Sequence, residues 1–170
     1  MNLKHANALF ALLLALCAGP LWALPGDKQK PVELEADQVE IDEHQGISVY
    51  RGHVVLVQGS IHMQADVMTV HTAAGRLAKV TLEGKPATYR WQPQAGKPEV
   101  QAEGARIVYD AGGDEVVMTG NAKLRQSGNT FASERIIYDA AHDKVKAGGR
   151  QGQDGKKERV KIIFQPGTAQ

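Results

Sequence analysis

The chain has 170 residues, with 20 Lys and Arg against 19 Asp and Glu, so its formal net charge is only +1. This balance argues against a nucleic-acid-binding protein, which needs a basic surface. The chain has one cysteine, Cys17, in the apolar N-terminal stretch. One cysteine excludes an internal disulfide, and its position argues against a catalytic thiol in the folded domain.

The N-terminal segment has the layout of a secretory signal. A short basic start precedes an apolar stretch at 8–18, which is too short for a comfortable membrane span, and Ala23 is a small residue suited to cleavage. We predict that residues 1–23 are a signal peptide that is removed after export. One alternative is a lipoprotein anchored through Cys17, which the bulky Leu16 before it disfavours. In another alternative, this segment is not cleaved and remains as a membrane anchor.

From residue 32 onward, apolar and polar residues alternate with the period of two that is typical of half-buried strands. Examples are 32–36, 39–42 and 160–164. Glycine-rich turn sequences separate these pieces, and no stretch keeps a helical period of 3.6. The sequence therefore predicts an all-β, antiparallel fold built from stacked hairpins: a sandwich, a jelly roll or a barrel.

We expect one domain, 24–170, in which a flexible glycine-rich basic loop at 148–159 precedes a last strand at 160–164. The alternation slips by one residue at Asp37-Gln38, where either a strand bulges or a new strand begins. These two possibilities remain open from the sequence.

A hairpin is predicted around Gln58-Gly59. In the expected register Leu56 lies opposite Ile61 and Val54 lies opposite Met63, so that these four apolar side chains share one face.

The pattern of the hairpin returns 68 residues later in the chain. Gly52 corresponds to Gly120, Leu56 to Leu124, and a glutamine occupies the matching position in both copies. Identity between the copies is low, but their order predicts two related halves.

Several segments together resemble the LptA (OstA-like) family, in that family's order and approximate spacing. One departure is His53, where the family commonly has asparagine after the glycine. The segments are PVELEADQVEID (31–42), YRGHVVLVQGSIHMQAD (50–66), EGKPATY (83–89), MTGNAKLRQSGN (118–129) and SERIIYD (133–139).

The resemblance implies a slightly twisted β-jelly roll, open at both ends, that holds the acyl chains of lipopolysaccharide between its sheets. It implies a periplasmic protein whose copies associate head to tail. Such a bridge would link the inner-membrane LptBFG complex, through LptC, to outer-membrane LptD with LptE. Because the inner-membrane ATPase complex supplies the energy, no cofactor is expected.

Inward-facing apolar positions are the candidate lipid-binding residues. Alternation alone is what any sandwich needs for its own core, so only the resemblance favours a lipid site. Val32, Leu34, Tyr89 and Tyr109 are the preferred candidates, because edge or rim positions leave them free of internal packing. The full set is Val32, Leu34, Val39, Ile41, Val54, Leu56, Ile61, Met63, Met68, Val70, Val80, Leu82, Tyr89, Ile107, Tyr109, Leu124, Phe131 and Tyr138.

Neither a metal site nor an enzyme is predicted. Histidines recur every nine residues, at His44, His53, His62 and His71, but no His-x-His or His-x₃-His pair exists and solvent-facing positions explain them better. No nucleophile or phosphate-loop motif is present. Two rival functions remain: a periplasmic structural β-filament that binds no lipid, and a carbohydrate-active enzyme with paired carboxylates.

Overall fold

The computed structural model describes residues 26–92, 96–148 and 159–165. The predicted signal peptide at 1–23 and most of the predicted loop at 148–159 lie outside them. No helix in the described ranges is long and apolar enough to cross a bilayer. After a 3-10 helix at Asp27–Gln29, the strands are β1 (Glu33–Glu35), β2 (Gln38–Asp42), β3 (Ile47–Gln58), β4 (Ile61–Ala73), β5 (Arg76–Trp91), β6 (Val100–Asp110), β7 (Glu115–Gln126), β8 (Asn129–Asp139), β9 (Lys144–Ala147) and β10 (Lys161–Ile163).

All strand pairs are antiparallel and belong to one sheet in the order β1-β3-β4-β5-β6-β7-β8-β10. Strand β2 also pairs with β3, and β9 also pairs with β8. The sheet therefore has a first edge, formed by β1 and β2, and a last edge, formed by β9 and β10. The all-β, antiparallel architecture predicted from the sequence is confirmed, and the sheet is not closed, in agreement with what the family resemblance implies.

Five consecutive strands, β3 to β7, each have a register break near the middle. A bulge bends its strand, and five bulges in line bend the whole sheet. We call this row the fold line. The breaks lie between Arg51 and Val54, Gln64 and Val67, Glu83 and Ala87, Glu103 and Arg106, and Thr119 and Ala122.

Contacts between opposite strand ends show that the sheet folds over at this line. Gln126 ends β7, whereas Asp143 lies in the turn beside the strand's beginning, so a flat sheet would separate them by about 36 Å. Instead Gln126 Nε2 donates a hydrogen bond to Asp143 Oδ1 at 2.7 Å. The aromatic rings of Trp91 and Tyr138 likewise lie 5.5 Å apart.

Folding over produces two layers that face each other. Layer A contains the strand halves that end at the turns 43–46, 74–75, 111–114 and 140–143. Layer B contains the halves that end at the turns 59–60 and 127–128 and at the loop after β5. Opposite the fold line, the two rows of turns border a slit.

The core lies between the two layers, along the fold line and, at Val100, Val116 and Tyr138, also toward the slit. Layer A contributes Met68, Leu82 and Ile107, and layer B contributes Val54 and Ala87. Each of these side chains is no more than 1% exposed. Such complete burial leaves these side chains in contact with protein on every side.

The predicted 68-residue repeat is confirmed, since β3 and β7 have equal lengths and their bounds differ by this shift. Gly52 and His53 have φ values of +78° and +46°, and Gly120 and Asn121 have +76° and +53°. Histidine and asparagine are among the residues that tolerate positive φ, which explains how His53 can replace asparagine in this step. We call β3–β4 the first repeat and β7–β8 the second repeat.

The register predicted for the first hairpin is wrong by two residues. Leu56 lies opposite Met63, Val54 opposite Ala65, and the last residue of β3 opposite Ile61. The reason is that the turn consists of Gly59, with φ +61°, and Ser60. A shift of two residues changes partners but not faces, so the predicted apolar face is correct.

The phase slip at Asp37 marks a new strand. β1 pairs with β3 on one side of Gly52-His53 and β2 pairs with it on the other. The Asp37 backbone N–H donates to the Gly52 carbonyl at 3.1 Å. The Asp37 carboxylate also contacts His53 Nδ1 at 2.9 Å, so the break in the edge is tied to the bulge beside it.

Candidate functional site

A cavity of about 520 Å³ separates the two layers beside the first edge. Gln58 is the only lining side chain among the described residues with an amide, and the tyrosines contribute hydroxyls; the remainder are apolar. The lining consists of Val32, Leu34, Tyr50, Leu56, Gln58, Ile61, Met63, Val70, Leu77, Val80, Tyr89, Tyr109 and Ala111.

A second cavity, of about 430 Å³, adjoins the first along the slit. Ile61, Tyr89 and Tyr109 line both cavities, so the two spaces meet at these side chains. The second cavity is more polar, because Asp27, Gln29, Gln92 and Asp114 also line it; its other lining residues are Gly26, Trp91, Val116 and Ala140.

The segment before β1 borders this second cavity through Gly26, Asp27 and Gln29. Asp27 Oδ1 accepts a hydrogen bond from the Ser60 backbone N–H at 3.0 Å, and Asp27 also bonds the Ser60 hydroxyl. Gln58 Nε2 donates to the Lys30 carbonyl at 3.0 Å. These bonds fix the segment to layer B.

The four preferred candidates from the sequence all line the larger cavity. Val32 is 55% exposed at the first edge, as a rim position requires. The rim position predicted for Tyr89 is wrong, since its ring is only 4% exposed and stacks on Trp91 at 4.4 Å. Leu34 and Tyr109 complete this group, and five further predicted residues lie around the same space: Leu56, Ile61, Met63, Val70 and Val80. The structure thus brings half of the predicted set together around one cavity.

The other predicted residues do not line the larger cavity. Phe131 is half-buried against the core. Val39 and Ile41, each 59% exposed, lie on β2 at the sheet edge, where no further strand of the described residues covers them. Six belong to the core because the opposite layer packs directly on them: Val54, Met68, Leu82, Ile107, Leu124 and Tyr138.

Several lining residues escaped the sequence prediction. Tyr50, Leu77 and Ala111 line the larger cavity, and Trp91 and Val116 line the smaller one. The pairing of Tyr50 with Met68 across β3 and β4 would have identified it as inward-facing. Ala111 lies in a turn, where period-two alternation gives no signal.

Two tyrosines are fixed by an aspartate five residues later, in the repeated pattern Y-D-A-x-x-D. Tyr109 OH donates to Asp114 Oδ1 at 3.0 Å, and Tyr138 OH donates to Asp143 Oδ1 at 2.8 Å. Burial, with the hydrogen bond to Asp114, raises the pKa of Tyr109 to about 12. Burial and Asp143 raise the pKa of Tyr138 as well, so both hydroxyls remain neutral.

Among the described residues, no three His, Cys, Asp or Glu side chains come together in a group that could hold a metal ion. His53 instead pairs with Asp37, and His142 pairs with Asp139 at 2.9 Å in a turn. The absence of metal, cofactor and catalysis remains a prediction.

The two sheet edges carry opposite charges. On the first edge the outward side chains are acidic except for Gln38, and the inward ones are Leu34, Val39 and Ile41. On the last edge the outward side chains are basic except for Ile163, and the inward ones are Val145, Ala147 and Ile162. The acidic residues are Glu33, Glu35, Glu40 and Asp42, and the basic ones are Lys144, Lys146 and Lys161.

The sequence profile of the family described as "LptA/(LptD N-terminal domain) LPS transport protein" matches residues 33–144. The chain belongs to this family. The lipopolysaccharide export system protein LptH of Pseudomonas aeruginosa is 37% identical over 161 residues, covering 93% of this chain and 92% of LptH. The lipopolysaccharide export system protein LptA of Escherichia coli K12 is 30% identical over 171 residues, covering 99% of this chain and 89% of LptA.

The fold agrees with that of a solved family member. The crystal structure of P. aeruginosa LptH, described as the LptA-homologous periplasmic component of a lipopolysaccharide transport device, superposes with a TM-score of 0.75. The match has 36% sequence identity and covers 84% of this chain and all of that chain.

Proposed function

We propose that this protein is a periplasmic carrier of lipopolysaccharide that holds acyl chains between layers A and B. The carrier forms part of a head-to-tail bridge along which the lipid moves from the inner to the outer membrane. The observation that carries the proposal is the apolar cavity of about 520 Å³ that reaches the first edge.

The cost of exposing acyl chains to water explains why such a lining is needed. Each CH₂ group costs about 0.8 kcal/mol in water, so a chain of roughly a dozen methylenes costs on the order of 10 kcal/mol. Leu56, Met63 and Val70 provide aliphatic surface at the cavity beside the rings of the three lining tyrosines. Flexible side chains such as Met63 suit chains of varied length.

The cavity favours the carrier over the structural filament. A filament that binds no lipid needs only its sheet edges for assembly. Its interior would be packed as tightly as the side chains along the fold line are. Leu56 and Val70 instead lie around open space, while Met68 on a neighbouring row has no exposed surface. The separation of the layers at the first edge has no role in a filament that binds no lipid.

The head-to-tail contact follows from the two edges. If β9 of one copy pairs with β2 of the next, Lys144 lies beside Asp42 and Lys146 beside Glu40. Continuing the sheet in this way pairs β10 with β1 and places Lys161 beside Glu35. Both pairings are antiparallel, as the strand directions require.

The same pairing continues the inner surface from one copy to the next. Val145 would lie beside Ile41, and Ile162 beside Leu34, so the exposed apolar residues of the first edge gain a neighbour. A contact between two different edges repeats without closing and produces open filaments. We propose that the same edges also join the inner-membrane LptC/LptBFG complex and outer-membrane LptD/LptE.

Site-specific photo-crosslinking tests the carrier function. A photoreactive amino acid at Leu34 or Tyr89, which line the cavity, should form adducts with lipopolysaccharide in cells. Glu33 and Arg90 are the matched controls, since each is the exposed neighbour of a lining residue and points to the other side of its strand. Adducts formed only at Glu33 and Arg90 would overturn the carrier model.

A further inference from the structure

The two repeats close the slit differently. In the first repeat, Gln58 borders the cavity and its amide bonds the Lys30 carbonyl, outside the repeat. In the second repeat, the equivalent Gln126 spans the slit. Its Nε2 donates to Asp143 Oδ1 at 2.7 Å and to Tyr138 OH at 3.4 Å, which joins layer B to layer A.

Two differences in sequence account for this closure. Tyr138 stands where the first repeat has Val70, and Asp143 stands where it has Gly75. The larger Tyr138 side chain reaches the ring of Trp91 in layer B, at a centroid distance of 5.5 Å. Its hydroxyl then holds Asp143 at 2.8 Å. A glycine at the equivalent turn position offers no such acceptor.

The interior reflects the same difference. Val116, Met118 and Leu124 in the second repeat are no more than 1% exposed. In the first repeat, Tyr50 and Leu56 occupy the positions of Met118 and Leu124 and line the larger cavity. The larger cavity thus belongs to the first repeat. The second repeat is packed at Met118 and Leu124, and only its slit side, at Val116 and Ala140, borders the smaller cavity.

We propose that Gln126, Tyr138 and Asp143 form a latch that confines acyl chains to the first repeat until the latch opens. This inference rests on the proposed carrier function. A lipid that enters at the first edge meets the closed second repeat before it can reach the last edge. The latch therefore positions the lipid within each copy and controls its passage to the next.

Opening the latch would separate the Tyr138 ring from Trp91 but would leave the core along the fold line intact. Asp143 is exposed at the slit and Gln126 is half-buried, so water can replace their mutual hydrogen bond. The fold line lies at the far side of both layers, where the fully buried rows hold them together. Separation of the turns 127–128 and 140–143 would thus widen the slit by a hinge motion.

Two variants remove the latch with little change elsewhere. Asp143→Gly restores the residue of the first repeat and suits the φ of +49° at this position. Tyr138→Phe keeps the buried ring and removes only the hydroxyl. His142→Ala is the control, because it removes the His142–Asp139 contact in the same turn without touching the latch.

Spin labels test the latch in the absence of lipid. Cysteines replacing the exposed residues Ser127 and Ala141 place one label on each side of the slit. Asp143→Gly and Tyr138→Phe should shift the distance distribution to longer and broader separations, whereas His142→Ala should not. Unchanged distributions in both latch variants, or the same change in His142→Ala, would refute the latch.

Photo-crosslinking then tests its effect on lipid position. A photoreactive residue at Phe131, half-buried on the inner row of the second repeat, reports lipid beyond the latch, and one at Leu34 reports lipid at the first edge. The ratio of adducts at Phe131 to those at Leu34 should rise at least threefold in both latch variants. A constant ratio would overturn the proposed confinement. Absence of adducts at Leu34 in every protein would instead contradict the carrier function.

Discussion

At the residue scale, the main charged partner of His53 is Asp37, at the first edge. Its Nδ1 lies 2.9 Å from Asp37 Oδ2 on the protein surface. The hydrogen bond to Asp37, followed by the charge of the same carboxylate, raises the pKa of His53 above its ordinary value of 6.5. The pair joins the break between β1 and β2 to the bulge in β3.

The raised pKa fixes the pH range in which this pair stabilises the fold. The stabilisation is complete below pH 6.5 and is lost as the pH rises through the raised pKa of folded His53. Asp37→Asn should lower the His53 pKa toward its ordinary value in an NMR titration. Asp66 is a weaker influence on this pKa, so Asp66→Asn should lower it less. Equal shifts in the two variants would contradict the assignment.

Residue faces are predictable from the sequence, but cavity positions are not. Alternation correctly places Val54 and Leu56 on the same inward face. Val54 is nevertheless 1% exposed at the core, while Leu56 lines the cavity. The difference depends on what the opposite layer places across from each side chain, and period-two alternation within one strand carries no information about it.

At the element scale, glycines with positive φ allow the strands to bend at the fold line. Gly52 has a φ of +78°, and an added Cβ would lie 2.1 Å from Asp37 Oδ2. Gly75, in the turn between β4 and β5, has a φ of +72° but nothing within 4 Å of an added Cβ. The two glycines therefore share a backbone conformation and differ in their surroundings.

This difference predicts unequal effects of alanine at the two positions. Gly75→Ala should lower the free energy of unfolding by about 1–2 kcal/mol, from left-handed backbone strain alone. Gly52→Ala should lower it by roughly 1 kcal/mol more, because Asp37 must move and its backbone bond to Gly52 is weakened. Urea unfolding followed by circular dichroism measures both. Equal losses would show that Asp37 is not held tightly at the bulge.

Strand number was harder to predict than strand type. The phase slip at Asp37 was compatible with one bulged strand or two separate strands. The choice depends on the partner, because β3 has its own break at Gly52-His53 and the edge must follow it. The register of the first hairpin differs from the predicted one by two residues, because alternation does not show which residues form the turn.

At the scale of the whole molecule, the decisive feature is a single sheet folded onto itself, whose two edges pair with no further strand in the described part of the chain. The sequence predicted the strands and the family resemblance implied the jelly roll. The meeting of Gln126 with Asp143 across the slit was not predicted, because it joins residues that strand pairing alone would place far apart. This fold makes one surface continuous from the first edge to the last.

Opposite charges on these edges predict how copies of the chain associate. In the proposed contact, Glu40→Lys combined with Asp42→Lys would place lysines beside Lys144 and Lys146 of the next copy, so that like charges would meet. Concentration-dependent oligomers in sedimentation velocity should then disappear at low salt. Removal of residues 160–170, which deletes β10, should have the same effect because it removes the partner of β1.

A compensating pair of variants distinguishes this contact from general loss of solubility. Lys144→Glu with Lys146→Glu, mixed with the lysine variant, should restore mixed oligomers, since the complementary edges are again available. Glu83→Lys with Glu99→Lys makes the same charge change away from both edges and should leave oligomers intact. Because exposed charges are screened over about 8–10 Å at 0.1–0.15 M salt, higher salt should weaken the native oligomers, yet strand pairing should preserve some. Native oligomers that persist in the lysine variant at low salt would rule out the proposed register.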